Sequence, residues 1–172
     1  MTETQVQIIN KTFAAVLPIS DAAAELFYNR LFEINPGVRA MFKGDMKEQG
    51  RKLMHTIGTA VGAARNLDSL RGPLQELAKR HVKYGVRPEH FDDVGSALIH
   101  TLEKGLGSQF TPEAKVAWVS LYGEIVGIMV PALQRASSPV RAAPVPPVTM
   151  PRAKKQRSIF GAILGWFGIK AG

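Results

Sequence analysis

Residues 74–86, LQELAKRHVKYGV, decide how this chain is read, because a histidine stands where the helical rhythm asks for an apolar side chain. Leu74, Leu77, Ala78, His81 and Val82 follow the i, i+3, i+4, i+7, i+8 spacing, so a helix through this stretch buries them along one stripe. A buried imidazole needs a partner. Two kinds are open to it: a hydrogen-bonding group of an ordinary core, or a metal taken by a ring nitrogen.

Composition narrows the choice. At 172 residues, 45% of them hydrophobic, the chain is long enough for one domain with an appendage. The absence of cysteine excludes disulfides, thiolate nucleophiles, zinc–thiolate and iron–sulfur sites, and palmitoylation. A metal must therefore use oxygen ligands or one of four histidines, His55, His81, His90 and His100. The opening residues, MTETQVQIINK, lack the basic patch and apolar run of an export signal, which predicts a cytoplasmic setting.

The formal charge of +8 is unevenly distributed. Residues 1–135 carry 16 Lys or Arg against 14 Asp or Glu, whereas residues 136–172 carry 6 basic residues and no acid. A basic tail on a nearly neutral body argues against a nucleic-acid-binding domain.

Apolar periodicity outlines an all-α chain with no alternating strand and no repeat. Val6, Ile9, Phe13, Val16 and Leu17 mark a first helix that stops at Pro18. Ser20 and Asp21 are N-cap candidates for a second, whose apolar face is Ala24, Phe27, Tyr28, Leu31 and Phe32. Pro36 opens a short helix with Phe42 at its far end, and Gln49, Leu53, Met54, Ile57, Ala60, Val61 and Ala64 mark a long one. NLDSLRGPLQ interrupts the pattern before the His81 helix, which runs to Gly85. Further helices are predicted from Glu89 to about Lys104 and, capped by Thr111 with Pro112 in its first turn, to about Arg135. The last is apolar on a face broad enough for contacts on two sides.

LFYNRLFEINPGVRAMF, RKLM, AKRHVKYGV, HFDDVGSAL and FTPEAKVAWVSLYG, in this order and spacing, resemble the bacterial single-domain globins and the haem domain of flavohaemoglobins. The resemblance spans roughly Gln5 to Gln134 and implies a globin fold, a helical sandwich around haem b. It implies that His81 is the proximal iron ligand, through a neutral ring nitrogen whose partner N–H is held by an acceptor. It further implies that Phe42 wedges against the haem plane, that Tyr28 aims its hydroxyl at bound ligand, and that Gln49 and Leu53 form the distal wall. Lys52 would meet a propionate, Val86, Phe91 and Val94 would line the pocket, and Tyr122 would approach the proximal side.

The implied ligands are oxygen, nitric oxide or carbon monoxide. The implied activity is oxygen binding or delivery, with nitric oxide dioxygenation where an external reductase supplies electrons. Two departures matter, the first for peroxidase-like chemistry and the second for turnover, which then needs an external reductant. The glutamate expected eleven residues after Tyr122 is Leu133, and Glu124 lies on a different helical face. No flavin or nicotinamide domain follows within the sequence. His55 would face away from the iron, and His90 and His100 read as packing or surface residues.

Residues 136–157 form a proline-rich basic linker, with five prolines between Pro139 and Pro151, and residues 158–172 a short apolar segment. On a helix, Ile159, Phe160, Ile163, Leu164, Trp166 and Phe167 share one face and Gly161, Gly165 and Gly168 the other. Thirteen helical residues reach about 20 Å, short of a hydrocarbon core of about 30 Å, so the segment does not span. Beside RAKKQR it suits an anionic membrane surface through residues 152–170, peripherally at the inner membrane, while docking on the globin body, self-pairing or disorder are the alternatives. A second functional reading is a gas or redox sensor whose haem state controls the tail.

Overall fold

The computed structural model describes residues 1–138, so the proline-rich linker beyond that point and the apolar and basic tail expectations lie outside the described residues. Six α-helices account for most of this length, and no strand occurs among the described residues. They are α1 (Glu3–Val16), α2 (Ser20–Ile34), α3 (Met46–Gly62), α4 (Arg71–Lys83), α5 (His90–Leu106) and α6 (Pro112–Ser137), with short 3₁₀ turns between several of them.

Local chemistry explains most of the boundaries. Thr2 and Gln5 form a capping box, the Gln5 N–H donating to Thr2 Oγ1 at 3.2 Å and the Thr2 N–H to Gln5 Oε1 at 2.8 Å. Asp45 caps α3 by accepting from the Lys47 N–H at 2.9 Å, and Thr111 caps α6 by accepting from the Ala114 N–H at 3.3 Å. Caps of this kind contribute about 1 kcal/mol each. Gly85, at φ +77°, supplies the left-handed turn that follows α4.

Two sequence expectations are corrected. Neither Ser20 nor Asp21 makes a capping bond, because Leu17–Ile19 is already a 3₁₀ turn and Ser20 has helical dihedrals within α2. The interruption at NLDSLRGPLQ is only partial: Leu67–Leu70 is a 3₁₀ turn and α4 takes in Arg71, Gly72 and Pro73. Proline is compatible there because the first helical turn leaves its N–H groups unpaired in any case.

The helices pack in crossed pairs: α4 on α6, α2 on α5 and α3, and α1 on α6. One core cluster is built around Ile9, Phe27, Leu31, Leu102 and Trp118, and a second around Leu74, Ala78, Phe91, Met129 and Leu133. Helix α6 joins them, its N-terminal half in the first and its C-terminal half in the second. Its length and apolarity would suffice to cross a membrane; it contacts α1, α4 and α5 and leaves Val116 and Val119 exposed. The two-sided face read from the sequence is thus observed. Because α3 is held by α2 and α1 while α4 is held by α6, Leu53 and His81 stand on helices with different supports and no extensive mutual contact.

Candidate functional site

His81 lies in the last turn of α4 and is half-buried. Nδ1 sits 2.8 Å from the carbonyl oxygen of Leu77, one helical turn back. A carbonyl only accepts, so Nδ1 carries the proton and Nε2 carries the lone pair. Burial holds the imidazole below its ordinary pKa, opposed in part by the Leu77 carbonyl, and the ring is therefore neutral at pH 7. The two partners that the sequence left as alternatives are compatible: one nitrogen donates a hydrogen bond, and the other keeps a lone pair that a metal could take.

Val86 is drawn back onto this turn by its N–H, which donates to the His81 carbonyl at 3.0 Å. The ring of Tyr84 lies 6.1 Å from the imidazole. Behind α4, Phe91 and Leu133 are buried in the second cluster, so an apolar side chain occupies the position where the resemblance expects a glutamate. Glu124 is paired with the amino terminus of Met1 at 3.0 Å and takes no part in the site.

Tyr28 is buried in α2. Its ring meets Phe42 edge to face at 5.2 Å and Phe27 at 5.2 Å, and Phe32 closes the group at 5.6 Å from Phe42. Such pairs are worth about 0.5–1.5 kcal/mol beyond the area they bury. The Tyr28 hydroxyl donates to the backbone carbonyl of Gln49 at a long 3.4 Å, so the main chain of residue 49 is what it meets. Desolvation pushes the phenol up to about 12, which keeps it a donor at neutral pH.

Phe42 is placed by the Pro36–Met41 turn. Asn35 fixes that turn at both ends of its side chain: Oδ1 accepts from the Gly37 N–H at 3.2 Å, and Nδ2 donates to Asp93 Oδ2 at 2.8 Å. The second bond ties the turn to α5 beside Val94. Lys52 is engaged on its own helix, Nζ lying 2.7 Å from Glu48 Oε1.

The Tyr122 hydroxyl donates to the Phe91 carbonyl at 2.6 Å. Burial first, then the negative charges of Asp92 and Asp93, hold this phenol protonated far above its usual range. Its ring lies over Gly95, where a Cβ would sit 2.7 Å from Cε1. Sequence reasoning missed this role for Gly95. A glycine inside an otherwise apolar helical pattern was the available signal for a close approach.

The remaining histidines have other duties. His90 is buried and its Nδ1 accepts from the Arg87 N–H at 3.2 Å, shaping the start of α5. His55 is exposed in an open cleft with Arg51 and Asp21, and His100 is half-buried on α5.

Among the described residues no group of three His, Cys, Asp or Glu side chains could hold a bare metal ion. A single imidazole donor can hold iron only where a macrocycle supplies the other nitrogens. Phe42, Leu53, Val86 and Val94 are all half-buried apolar side chains, the partial exposure expected of walls that face a flat apolar group. A neutral imidazole donor and half-buried apolar side chains are the kinds of group that haem requires.

The globin family model matches residues 25–129, more than half of the chain. Flavohemoproteins of Xylella fastidiosa (29% identical over 72% of this chain) and Vibrio cholerae (27% over 71%) are among the related sequences, and the chain covers 32% of the length of each. Among solved structures, a bacterial globin from Campylobacter jejuni superposes with a TM-score of 0.68 at 26% identity, covering 78% of this chain and 97% of that one. An engineered carbene transferase from Rhodothermus marinus shares the fold, with a TM-score of 0.70 at 21% identity over 78% of this chain and 94% of its own. The helical sandwich and the match over residues 25–129 agree, and the chain belongs to the globin family.

Proposed function

We propose that the chain binds haem b through His81 Nε2 and uses it to hold oxygen and nitric oxide. The carrying observation is the 2.8 Å contact between His81 Nδ1 and the Leu77 carbonyl, which fixes the tautomer in which Nε2 is the donor. When bound, haem would supply an iron centre able to take up a diatomic gas. The relatives named flavohemoprotein and bacterial globin support this reading.

Around that centre each residue has a separate task. His81 supplies one neutral nitrogen, and its hydrogen bond to a carbonyl makes it less basic than a bond to a carboxylate would. Leu133 therefore favours gas binding over chemistry that needs a strongly electron-donating proximal ligand. Phe42, Leu53 and Val94 exclude water from the pocket. Tyr28 contributes an O–H donor, and its weak bond to the Gln49 carbonyl is readily exchanged for one to a bound gas. The Gln49 side chain and Lys52 serve as a second distal donor and a propionate partner, Lys52 leaving Glu48 to do so.

Repeated turnover with nitric oxide draws its electrons from a separate reductase. The basic run and apolar segment of residues 152–170 bring the globin to an anionic membrane surface. The test is direct: hemin-loaded protein, reduced and freed of reductant, is exposed to air and then to nitric oxide. The account expects a stable oxygenated spectrum that nitric oxide converts to the ferric one with release of nitrate. Immediate oxidation in air with no oxygenated spectrum contradicts it.

A further inference from the structure

A helix that shows one face to water normally carries its charges there. Helix α6 does not: from residue 116 to residue 134 the only charged side chain is Glu124. Val116 is 59% exposed and Val119 51%. With Gly123, Val126 and Val130 they follow the i, i+3, i+7, i+10, i+14 spacing, the seam of a helix that meets a second helix. Val126 and Val130 are half-buried, and a Cβ on Gly123 would meet nothing, so the middle of the seam is a shallow notch.

The polar groups beside the seam are already taken. Lys115 Nζ donates to Glu103 Oε1 at 2.8 Å, and Glu124 accepts from the Met1 amino group at 3.0 Å. Ser120 Oγ accepts from Gln5 Nε2 at 3.3 Å and donates to the Val116 carbonyl at 2.9 Å. A covering helix therefore leaves none of them buried without a partner.

Chain length and chemistry select the occupant. Taken as a helix, residues 159–167 place Phe160, Ile163 and Phe167 at i, i+3 and i+7, large side chains for a seam of valine and glycine. Residues 139–158 separate them from the end of α6. A chain of that length reaches about 62 Å when extended, and has an r.m.s. reach of about 25 Å as a flexible coil. Along α6 the seam lies from about 18 Å (Val126) to about 33 Å (Val116) back from residue 138. Reach matches span, the condition under which a tether gives its highest effective concentration. As a helix, residues 159–167 cover about 13 Å, close to the distance of about 15 Å between Val116 and Val126.

We propose that residues 159–167 dock as a helix on the seam of α6 between residues 116 and 130 of the same chain, and that an anionic membrane draws them off. Seam and membrane take the same apolar side chains, so each holds the tail at the expense of the other. Release by the membrane rests on the membrane reading above, whereas docking does not.

The chain has no cysteine, so Gly165→Cys, on the face opposite the apolar one, takes a single nitroxide label. In methyl NMR spectra of the full chain without lipid, the label weakens the signals of Val116, Val119 and Val126 several-fold and leaves Val38, in the Pro36–Met41 turn, unchanged. Val116→Gln with Val119→Gln restores the Val126 signal. Both positions are exposed, so the pair leaves the core intact, which unchanged Val38 and Leu31 signals check. Seam signals at full strength in the labelled chain overturn the docking. So does a weakened seam in nitroxide-free chains mixed with labelled ones, which makes a second copy the occupant. Release is read by co-sedimentation with vesicles rich in anionic lipid, where the double glutamine variant binds several-fold more tightly than wild type because its tail is no longer held. Weaker binding, which would mean that α6 itself meets the membrane, overturns the release, as do equal binding and no binding by either form; the NMR result decides the docking separately.

Discussion

The imidazole of His81 and the phenol of Tyr28 show how much a single residue reveals before the fold is known. Spacing placed His81 on an apolar stripe, and the structure adds its partner, the Leu77 carbonyl four residues earlier. That acceptor belongs to the main chain, which is why no sequence pattern announces it. Tyr28 was legible as a buried phenol, but the group it meets is again a backbone carbonyl, at Gln49. Replacing Tyr28 by Phe removes a donor worth about 1.5–3 kcal/mol when it meets a charged or strongly polarised acceptor, so oxygen release should accelerate by about one to two decades in stopped flow.

Tyr28 also gives a pH dependence. Its folded pKa of about 12 lies above the ordinary phenol value of about 10, so below pH 10 both states are protonated and its contribution is constant. Between about 10 and 12 the unfolded chain loses the proton first, and stability falls as pH rises through that window, by about 2–3 kcal/mol in all. Denaturant titrations across the window should show wild type losing more stability than Tyr28→Phe. Equal losses would show that the phenol is not desolvated as described.

At the scale of helices, the crossing of α2 over α3 sets the separation between the Tyr28 hydroxyl and residue 49. Gly50 makes the crossing close: a Cβ there would lie 2.9 Å from the Ala24 Cβ. Gly50→Val should force the helices apart at a cost of about 1–3 kcal/mol in denaturant titrations, and should lengthen the contact between Tyr28 and the Gln49 carbonyl. A variant as stable as wild type would mean that the crossing tolerates a side chain. Element order, and most element limits to within a few residues, were legible because apolar spacing, Pro36, Pro112 and Thr111 are local signals. The close approaches at Gly50 and Gly95 were not, because a glycine's meaning depends on what the partner helix brings to it.

The whole molecule divides by charge into a nearly neutral globin body and a tail that holds most of the excess. The body carries its own core and site within residues 1–138, so removing residues 139–172 should leave the haem spectrum unchanged. The same truncation should abolish binding to vesicles rich in anionic lipid, read by co-sedimentation. Equal sedimentation of both forms would place membrane affinity in the globin body. The sensor reading makes a different demand, that ferric, ferrous and carbonyl forms of the full chain bind vesicles unequally.

The proposed bond between iron and His81 is tested most directly by adding hemin to wild type, His81→Ala and His81→Gly and recording absorption spectra. The expected result is a sharp, stoichiometric Soret band in wild type, its loss in His81→Ala, and its recovery in His81→Gly when free imidazole fills the space. A band of wild-type shape in His81→Ala, or no band in wild type, contradicts the account.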